Sequence, residues 1–195
     1  EMCIRDRDSI IWMAEGRKYE EVVLMTASLA RLLRQSISNE DEVVPLAREV
    51  EYAKGYLTIQ KMRYKDKLEF EIDVEPSILN IPLIKLVLQP IIENAIYHGL
   101  KYKESKGLLQ VKGFMKDGNA VLQVIDNGVG MDEETLSHIY DKHKVNYHSN
   151  GVGVYNVQKR LKLYYGENYG ITYESEKGVG TTATITIPGI QEESI

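Results

Sequence analysis

The spacing of apolar residues changes at Leu68, and this change constrains the fold more than any other feature of the sequence. Upstream, apolar residues recur close to the helical period. They predict helices from Ser9 to Ser36, loosened near its start by Gly16, and from Leu46 to about Arg63. From Leu68 to Val74, apolar residues alternate with acidic ones, which is typical of a half-exposed strand. A helical hairpin followed by an α+β domain is therefore expected.

The two predicted helices are joined by an acidic turn, Ser38 to Pro45. Antiparallel helices with a short connection form a hairpin, and a lone hairpin cannot bury its own apolar face. It must pack against another body, most simply a second copy of itself. A homodimer through the hairpin is the expected assembly.

Helices and strands mix in the rest of the chain. A helix is expected from Leu83 to Tyr97, kinked by Pro90 and ended by Gly99 as a C-cap. Another helix is opened by glycines, from Gly151 to Gly166. The predicted strands are Gly107–Lys116 and Asn119–Asp126, joined by a hairpin turn, followed by Tyr169–Glu176 and Thr181–Pro188.

Composition limits the kind of partner. The chain has 195 residues, a formal net charge of −5 and no basic run, so a nucleic-acid-binding surface is not expected. No apolar stretch is long enough to span a bilayer, and no signal peptide is visible. The single cysteine, Cys3, cannot form an internal disulfide, which fits a reducing compartment. A cytoplasmic location is expected.

The segment "DNGVG" ends a hydrophobic strand at Asp126. A carboxylate at that place can accept a hydrogen bond from an exocyclic amine such as that of adenine. Gly128 and Gly130 let the backbone approach a ligand closely. The same residues also suit an ordinary turn, so this segment alone leaves both interpretations open.

Two further glycine-rich segments follow. In "GVGVYNVQKRL", Gly151 and Gly153 open a helix whose free N–H groups are suited to phosphate, although a close packing contact would also favour glycine. In "GVGTT", the hydroxyls of Thr181 and Thr182 can bond a base or a water, although a turn into a strand explains the segment equally well.

The helix "LQPIIENAIYHG" carries polar groups on an otherwise apolar element. Asn94 and His98 are four residues apart and lie on one face, with Glu93 beside Asn94. An amide oxygen from Asn94 suits Mg²⁺, which takes few protein ligands. Glu93 can position or deprotonate an attacking group. His98 is either part of the site or a partner of the helix dipole at the surface.

These four segments, in this order, resemble the ATP-binding domain shared by sensor histidine kinases, DNA gyrase, Hsp90 and MutL. "ENAIYHG" resembles the N box, "DNGVG" and "GVGVYNV" the first and second glycine boxes, and "GVGTT" the last. The resemblance covers about Leu68 to Pro188. It implies a Bergerat-type two-layer α/β sandwich, a mixed sheet with helices on one face, with ATP and Mg²⁺ as cofactors.

The resemblance also implies roles for individual residues. Asp126 would hold adenine and Asn94 the Mg²⁺, while Gly151 and Gly153 would meet the phosphates. Glu93 would activate the phosphate acceptor, with His98 as polar support nearby. His138, His143 and His148 fall in the segment that the family uses as an ATP lid. Their spacing suits solvated lid residues better than a metal site.

The upstream half, with "DSIIWMAE", "LARLLRQSIS" and "LVLQPIIENAIYHG", resembles the LytS/YehU type of sensor kinase. In that family the hairpin dimerises and its first helix carries the phosphate-accepting histidine, and the phosphate passes on to a response regulator. All four histidines of this chain lie downstream of the hairpin. The resemblance therefore implies a truncated kinase from a membrane-anchored parent.

The expected organisation has three parts. Residues 1–67 form a partial dimerisation hairpin, with residues 1–7 a non-native leader, residues 68–190 form the ATP-binding domain, and residues 191–195 form a tail. Two alternatives remain: a nucleotide-binding, dimerising module or pseudokinase that transfers nothing, and an anti-sigma-factor-type serine kinase. The long hairpin counts against the second.

Overall fold

The structure is a computed structural model that describes residues 10–11, 13–37, 42–139 and 151–189. Residues 10, 11 and 13–15 are helical, and helix α1 then spans Tyr19–Ile37. The two are separated by a turn at Gly16 and Arg17, where Arg17 has a positive φ of 56°. The predicted break near Gly16 is confirmed.

Helix α2 (Leu46–Tyr64) packs against α1 and completes the predicted hairpin. Strand β1 (Val43–Pro45) precedes it and pairs antiparallel with β3 (Pro82–Ile84). Both short strands were missed in the sequence, where they were assigned to a turn and to the start of a helix. Each is defined by pairing with a distant segment, which local periodicity does not report.

A five-stranded mixed sheet forms the rest of the core, in the order β2-β4-β5-β7-β6. Only the β2–β4 pair is parallel; the other pairs are antiparallel. The strands are β2 (Leu68–Val74), β4 (Gly107–Lys116), β5 (Asn119–Asp126), β6 (Gly170–Glu176) and β7 (Gly180–Pro188). The turn between β4 and β5 has positive φ at Asp117 and Gly118, as a tight hairpin requires.

Three helices accompany the sheet: α3 (Leu88–Asn94), which continues as a π-helical turn (Ala95–Leu100), α4 (Glu133–Ser137) and α5 (Gly151–Tyr165). Alternate residues of β5 are buried under α3 and its π-helical continuation, while α5 packs on β6 and β7, in one continuous apolar core. This two-layer arrangement confirms the expected α+β fold. No helix in the described part of the chain is long and apolar enough to cross a membrane.

Two predictions about the helix that carries Glu93 and Asn94 were wrong. Pro90 is the third residue of α3, so it lies in the first turn, where a missing N–H breaks no helical bond, and it does not interrupt the helix. Gly99 does not end the helix, which runs on to Leu100, and its φ is not positive. Its glycine character has another cause, described below.

Candidate functional site

A cavity of about 550 Å³ opens where the end of α3 meets the ends of β5 and β7. Helix α4 forms its outer wall. Five of the residues that the sequence singled out lie together on its lining: Asn94, His98, Asp126, Gly130 and Thr181. The remaining surface is largely apolar, with Ile91, Val124 and Ala183 among its members. Such a pocket is suited to a flat, mostly apolar ring with a few fixed polar contacts.

Asp126 is the buried carboxylate of this cavity, with 6% of its surface exposed. Its Oδ1 accepts a hydrogen bond from the N–H of Gly128 at 2.8 Å. Burial raises the pKa of Asp126 to about 6, against the opposing effects of N–H groups at Gly128 and Thr181 and the charge of Lys103. A carboxylate held under these conditions is a strong acceptor with little water around it.

Glycine backbones pack directly against that carboxylate. A β-carbon added at Gly99 would lie 2.6 Å from Oδ1 of Asp126, and one at Gly128 would lie 2.4 Å from the carbonyl carbon of Gly99. The N–H of Val129 donates to the carbonyl of Gly99 at 3.1 Å, which ties the helix end to the loop. Gly99 is therefore required by this close approach rather than by a helix cap.

Gly130 and Gly180 close the loop on the other side. Gly130 has a φ of 63°, and a β-carbon there would lie 2.0 Å from the carbonyl oxygen of Glu176. A β-carbon at Gly180, whose φ is 145°, would meet the carbonyl oxygen of Asp126 at 2.0 Å. Gly99 and Gly128 thus pack against the carboxylate, while Gly130 and Gly180 allow the backbones of the loop and of β7 to approach each other closely.

Asn94 lines the cavity and carries a side-chain oxygen that is unpaired in the described structure. Within the described residues, Oδ1 of Asn94 is buried and has no hydrogen-bond partner. An orphaned buried oxygen is expected to meet a ligand or a cation. No group of three or more His, Cys, Asp or Glu side chains in the described residues could hold a metal. A Mg²⁺ that uses one amide oxygen and takes its remaining ligands from phosphate and water fits this donor set.

Glu93 lies on a different side of α3 from the cavity and is not part of its lining. Its Oε1 accepts a hydrogen bond from the amide of Gln89 at 2.9 Å. Burial raises the pKa of Glu93, and the nearby charge of Glu93 adds to the raised pKa of Tyr56 in α2. Glu93 therefore faces the hairpin, while its neighbour Asn94 faces the cavity.

His98 and His138 both line the cavity, from the end of α3 and from the end of α4. His98 is exposed at the rim, where partial burial and the charge of Lys101 lower its pKa. It is therefore neutral at neutral pH. His143 and His148 lie outside the described residues.

The structure does not bring every predicted residue to the described cavity. Gly151 and Gly153 lie at the start of α5, and a β-carbon at Gly153 would lie 3.4 Å from the β-carbon of Pro90 in α3. Thr182 alternates with Thr181 and lines a shallow depression beside the cavity. Gly128 does not line the cavity; it donates its N–H to the carboxylate of Asp126, which does.

One supporting residue escaped the sequence analysis. Ser175 of β6 accepts the N–H of Met131 at 2.8 Å, donates to the carbonyl of Gly180 at 3.0 Å and contacts Oγ1 of Thr181 at 2.8 Å. It thereby fastens the "DNGVGM" loop to the start of β7. No motif marks it, because its role comes from the pairing of Ser175 with Thr181 across two strands.

Comparisons with known proteins point to one family. The model of the histidine kinase-, DNA gyrase B-, and HSP90-like ATPases matches residues 80–191, and a histidine kinase model matches residues 8–68. The sensor histidine kinase YesM of Bacillus subtilis is 32% identical over 93% of this chain. The sensor protein LytS of Oceanobacillus iheyensis is 34% identical over 72% of this chain.

The chain spans 30% of the length of the first of these relatives and 24% of the second. Among solved structures, the catalytic domain of histidine kinase ThkA superposes with a TM-score of 0.59. That match covers 76% of this chain and 99% of the other, at 16% identity, and so concerns the fold alone.

Proposed function

This chain belongs to the family of histidine kinase-, DNA gyrase B-, and HSP90-like ATPases and carries their ATP-binding catalytic domain, and we propose that it transfers the γ-phosphate of ATP to a histidine as part of a two-component sensor kinase. The observation that supports the proposal best is the shared cavity of Asp126 and Asn94. A carboxylate suited to an adenine amine and a free amide oxygen suited to Mg²⁺ lie on one lining, as a purine triphosphate requires.

In the proposed reaction the protein positions the two reactants and neutralises the charge of the phosphates, since phosphoryl transfer needs little covalent chemistry from side chains. Asp126 would accept the adenine amine. Asn94 would supply one ligand to Mg²⁺, whose charge offsets that of the phosphates. Glu93, on the side of α3 that faces the hairpin, would take the N–H proton of the acceptor imidazole. The imidazole nitrogen then bonds to the γ-phosphorus, the bridging bond breaks, and ADP leaves.

The remaining site residues have smaller proposed roles. Gly128 would fix Asp126 through its N–H, and Gly130 would allow the loop to pass close to the ligand. Thr181 would bond the base or a water beside Asp126, while Thr182 stands beyond the described lining. The N–H groups at Gly151 and Gly153 would meet the phosphates. His98 would act as polar support at the rim.

We propose a homodimer through the hairpin, because α1 exposes apolar side chains that its own partner helix leaves uncovered. Tyr19 is 65% exposed and Val23 is 68% exposed. Residues 1–67 would form the dimerisation part and residues 68–190 the ATP-binding part, with residues 191–195 as a tail. The partners would be a response regulator and, for a membrane-anchored parent protein, the cytoplasmic face of a membrane.

A nucleotide-binding module without transfer is the second candidate. It would need only the nucleotide cavity lined by Asn94 and Asp126 and no phosphate acceptor. A labelled phosphate assay separates the candidates: purified chain is incubated with γ-labelled ATP, alone and with an intact acceptor hairpin from a sensor kinase. Label that appears on the acceptor supports the kinase, and ATP binding without label supports the module.

Variants and the chemistry of the label make the assay more specific. Asn94→Ala tests the proposed site, and Asn119→Ala, at the end of β5 far from Asp126, is its matched control. Acid-labile, base-stable label identifies phosphohistidine, whereas acid-stable label would indicate a serine kinase of the anti-sigma-factor type. A wild-type chain that binds no ATP would contradict the proposed function altogether.

A further inference from the structure

A buried carboxylate outside the cavity joins the hairpin to the helix that carries Glu93 and Asn94. Glu49, in the first turn of α2, is only 2% exposed. Its Oε1 accepts the N–H of Leu86 at 2.9 Å, and its Oε2 accepts the N–H groups of Val87 at 2.9 Å and Leu88 at 3.2 Å. These N–H groups stand at the start of α3, where no preceding helical turn can accept them.

The backbone at this junction has an unusual conformation. Leu86 has a φ of 59°, in the left-handed region that a β-carbon disfavours. Such a residue persists only where its surroundings hold it. The bond from its N–H to Glu49 is one such constraint, and therefore the direction in which α3 leaves the junction depends on the carboxylate.

Other contacts make the start of α2 and the approach to α3 one body. The N–H of Leu46 donates to Ile81 at 2.9 Å, and the N–H of Ala47 donates to Leu79 at 2.8 Å. The pairing of β1 with β3 continues this connection. Glu49 is the member of the junction that reaches α3 itself.

Helix α5 also reaches this junction. The hydroxyl of Tyr165 donates to the carbonyl of Pro82 at 3.1 Å and accepts the N–H of Ile84 at 3.2 Å. Burial raises the pKa of Glu49, while the three N–H donors and the charge of Arg160 in α5 oppose that shift. The hairpin, the Asn94 helix and the glycine-opened helix thus meet around one carboxylate.

We propose that Glu49 is a positioning residue, which by accepting the N–H groups of Leu86, Val87 and Leu88 sets the angle of α3 to α2. Glu93 and Asn94 end the same seven-residue helix, so the angle decides where Glu93 stands relative to an acceptor on a hairpin. The cavity is lined by α3 and its continuation, which include Asn94 and His98, as well as by β5, β7 and α4. The same angle therefore also places Asn94, whereas Asp126 is placed by β5. For its catalytic consequence the inference rests on the proposed function.

Spin labels measure the angle without reference to catalysis. Lys54→Cys in α2 and Lys101→Cys after α3 place labels at two exposed positions, in a chain whose single cysteine is replaced by Cys3→Ser. Glu49→Gln is the principal variant, because its amide keeps one acceptor oxygen but turns an NH₂ group toward N–H donors. Glu51→Gln, an exposed glutamate of the same helix, is the matched control.

We expect Glu49→Gln to broaden the distribution of label distances by about twofold, since an unanchored helix samples more orientations. Glu51→Gln leaves it unchanged. In the transfer assay, Glu49→Gln lowers kcat by about tenfold and reduces the gain in ATP affinity from Mg²⁺, because Glu93 and Asn94 share the displaced helix. The Kd for ATP measured with a chelator stays within about threefold, since Asp126 is placed by β5. ATP binding on the same sample counts the molecules whose catalytic domain is folded.

Three results would overturn the inference: an unchanged distance distribution, a broadened distribution with normal kcat, or loss of ATP binding in the presence of a chelator in parallel with kcat. The last would make Glu49 a residue of general stability. A wild-type chain that binds ATP but transfers nothing refutes the proposed kinase function instead, and the label distances then decide the role of Glu49 on their own.

Discussion

Asp126 is a buried side chain whose charged form is disfavoured by its own surroundings. It is buried at the end of β5, and its pKa of about 6 means that burial disfavours the charged form more than its N–H donors favour it. A residue that folding alone had shaped would be satisfied or apolar in this place. A buried carboxylate with a raised pKa is typical of a binding site.

The variant Asp126→Asn separates the two effects. We expect ATP affinity to fall by about 1–3 kcal/mol, because a neutral amide replaces a charged acceptor. Thermal stability without ligand changes less than ATP affinity does, because the removal of a buried charge offsets the loss of one of the two N–H bonds, from Gly128 or Thr181, to the amide NH₂ group. Calorimetric titration and thermal unfolding measure the two quantities, and unchanged affinity would count against adenine recognition by Asp126.

The pH dependence of ATP binding follows from the same carboxyl group. Its pKa rises from 3.8 to about 6 on folding, so between these values the folded protein binds the extra proton and stability falls as pH rises. ATP binding has the opposite sign, because the ionised carboxylate is the better acceptor. Affinity should therefore weaken as pH drops through about 6, and the weakening should be smaller in Asp126→Asn. Titrations from neutral to mildly acidic pH check this, with equal slopes in both proteins as the contrary result.

Asn94 is the residue on which the Mg²⁺ dependence of binding should rest. We expect Asn94→Ala to abolish the gain in ATP affinity that Mg²⁺ produces, since the orphaned oxygen at this site would be its ligand. ATP titrations with Mg²⁺ and with a chelator measure that gain. A variant that keeps the full gain would remove Asn94 from the metal site.

At the scale of elements, three separate chain segments meet at Asp126, and no single one of them forms the site. The end of α3 brings Gly99, the loop after β5 brings Gly128, and the start of β7 brings Gly180, all in contact with Asp126 or its neighbours. Each segment can approach only because it lacks a β-carbon there. The geometry of the cavity wall around Asp126 is therefore set by backbone packing between elements.

Gly99→Ala tests that packing. Its new β-carbon would lie 2.6 Å from Oδ1 of Asp126, so we expect a loss of stability of about 1–3 kcal/mol and weaker ATP binding. Gly55→Ala, in the interior of α2 with nothing within 4 Å, is the matched control and should stabilise by about 0.5–1 kcal/mol. Chemical denaturation measures both, and equal stability changes in the two variants would refute the packing argument.

At the scale of the whole molecule, the hairpin and the sheet domain are joined by the α2–α3 junction and by the chain that passes directly from α2 into β2. The outward side of α1 carries apolar residues with no cover in the described structure. This is the face on which a second copy would pack. If a second copy packs on this face, the junction would link the proposed dimer interface to the helix that carries Glu93 and Asn94.

Val23→Glu tests the assembly. Placing a charge on this exposed side of α1 should weaken self-association by about tenfold or more, because the charge would be buried at an apolar interface. Sedimentation equilibrium measures the dimer constant, and Lys54→Glu on α2 provides a charge change elsewhere on the hairpin. An unchanged dimer constant would place the interface on another surface.

Sequence patterns predicted much of this molecule, for identifiable reasons. The hairpin, the alternating strand from Leu68 and the tight turn at Gly118 are local, so periodicity and turn chemistry report them, and the order of the glycine segments identified the family. The β1–β3 pairing and the role of Ser175 depend on partners far along the chain. Gly99 was predicted to be a helix cap because the feature that requires a glycine there, the close approach of Asp126, exists only in the folded chain.

The glycine-packed wall around Asp126 has a consequence for inhibitor design. Apart from Asp126, that wall is glycine backbone, so its shape should differ little between homologous proteins. The rest of the lining includes Ile91, Val124 and Ala183, side chains whose size can differ between homologous proteins. A selective compound must therefore take its discrimination from this apolar side and use the carboxylate only as a common anchor.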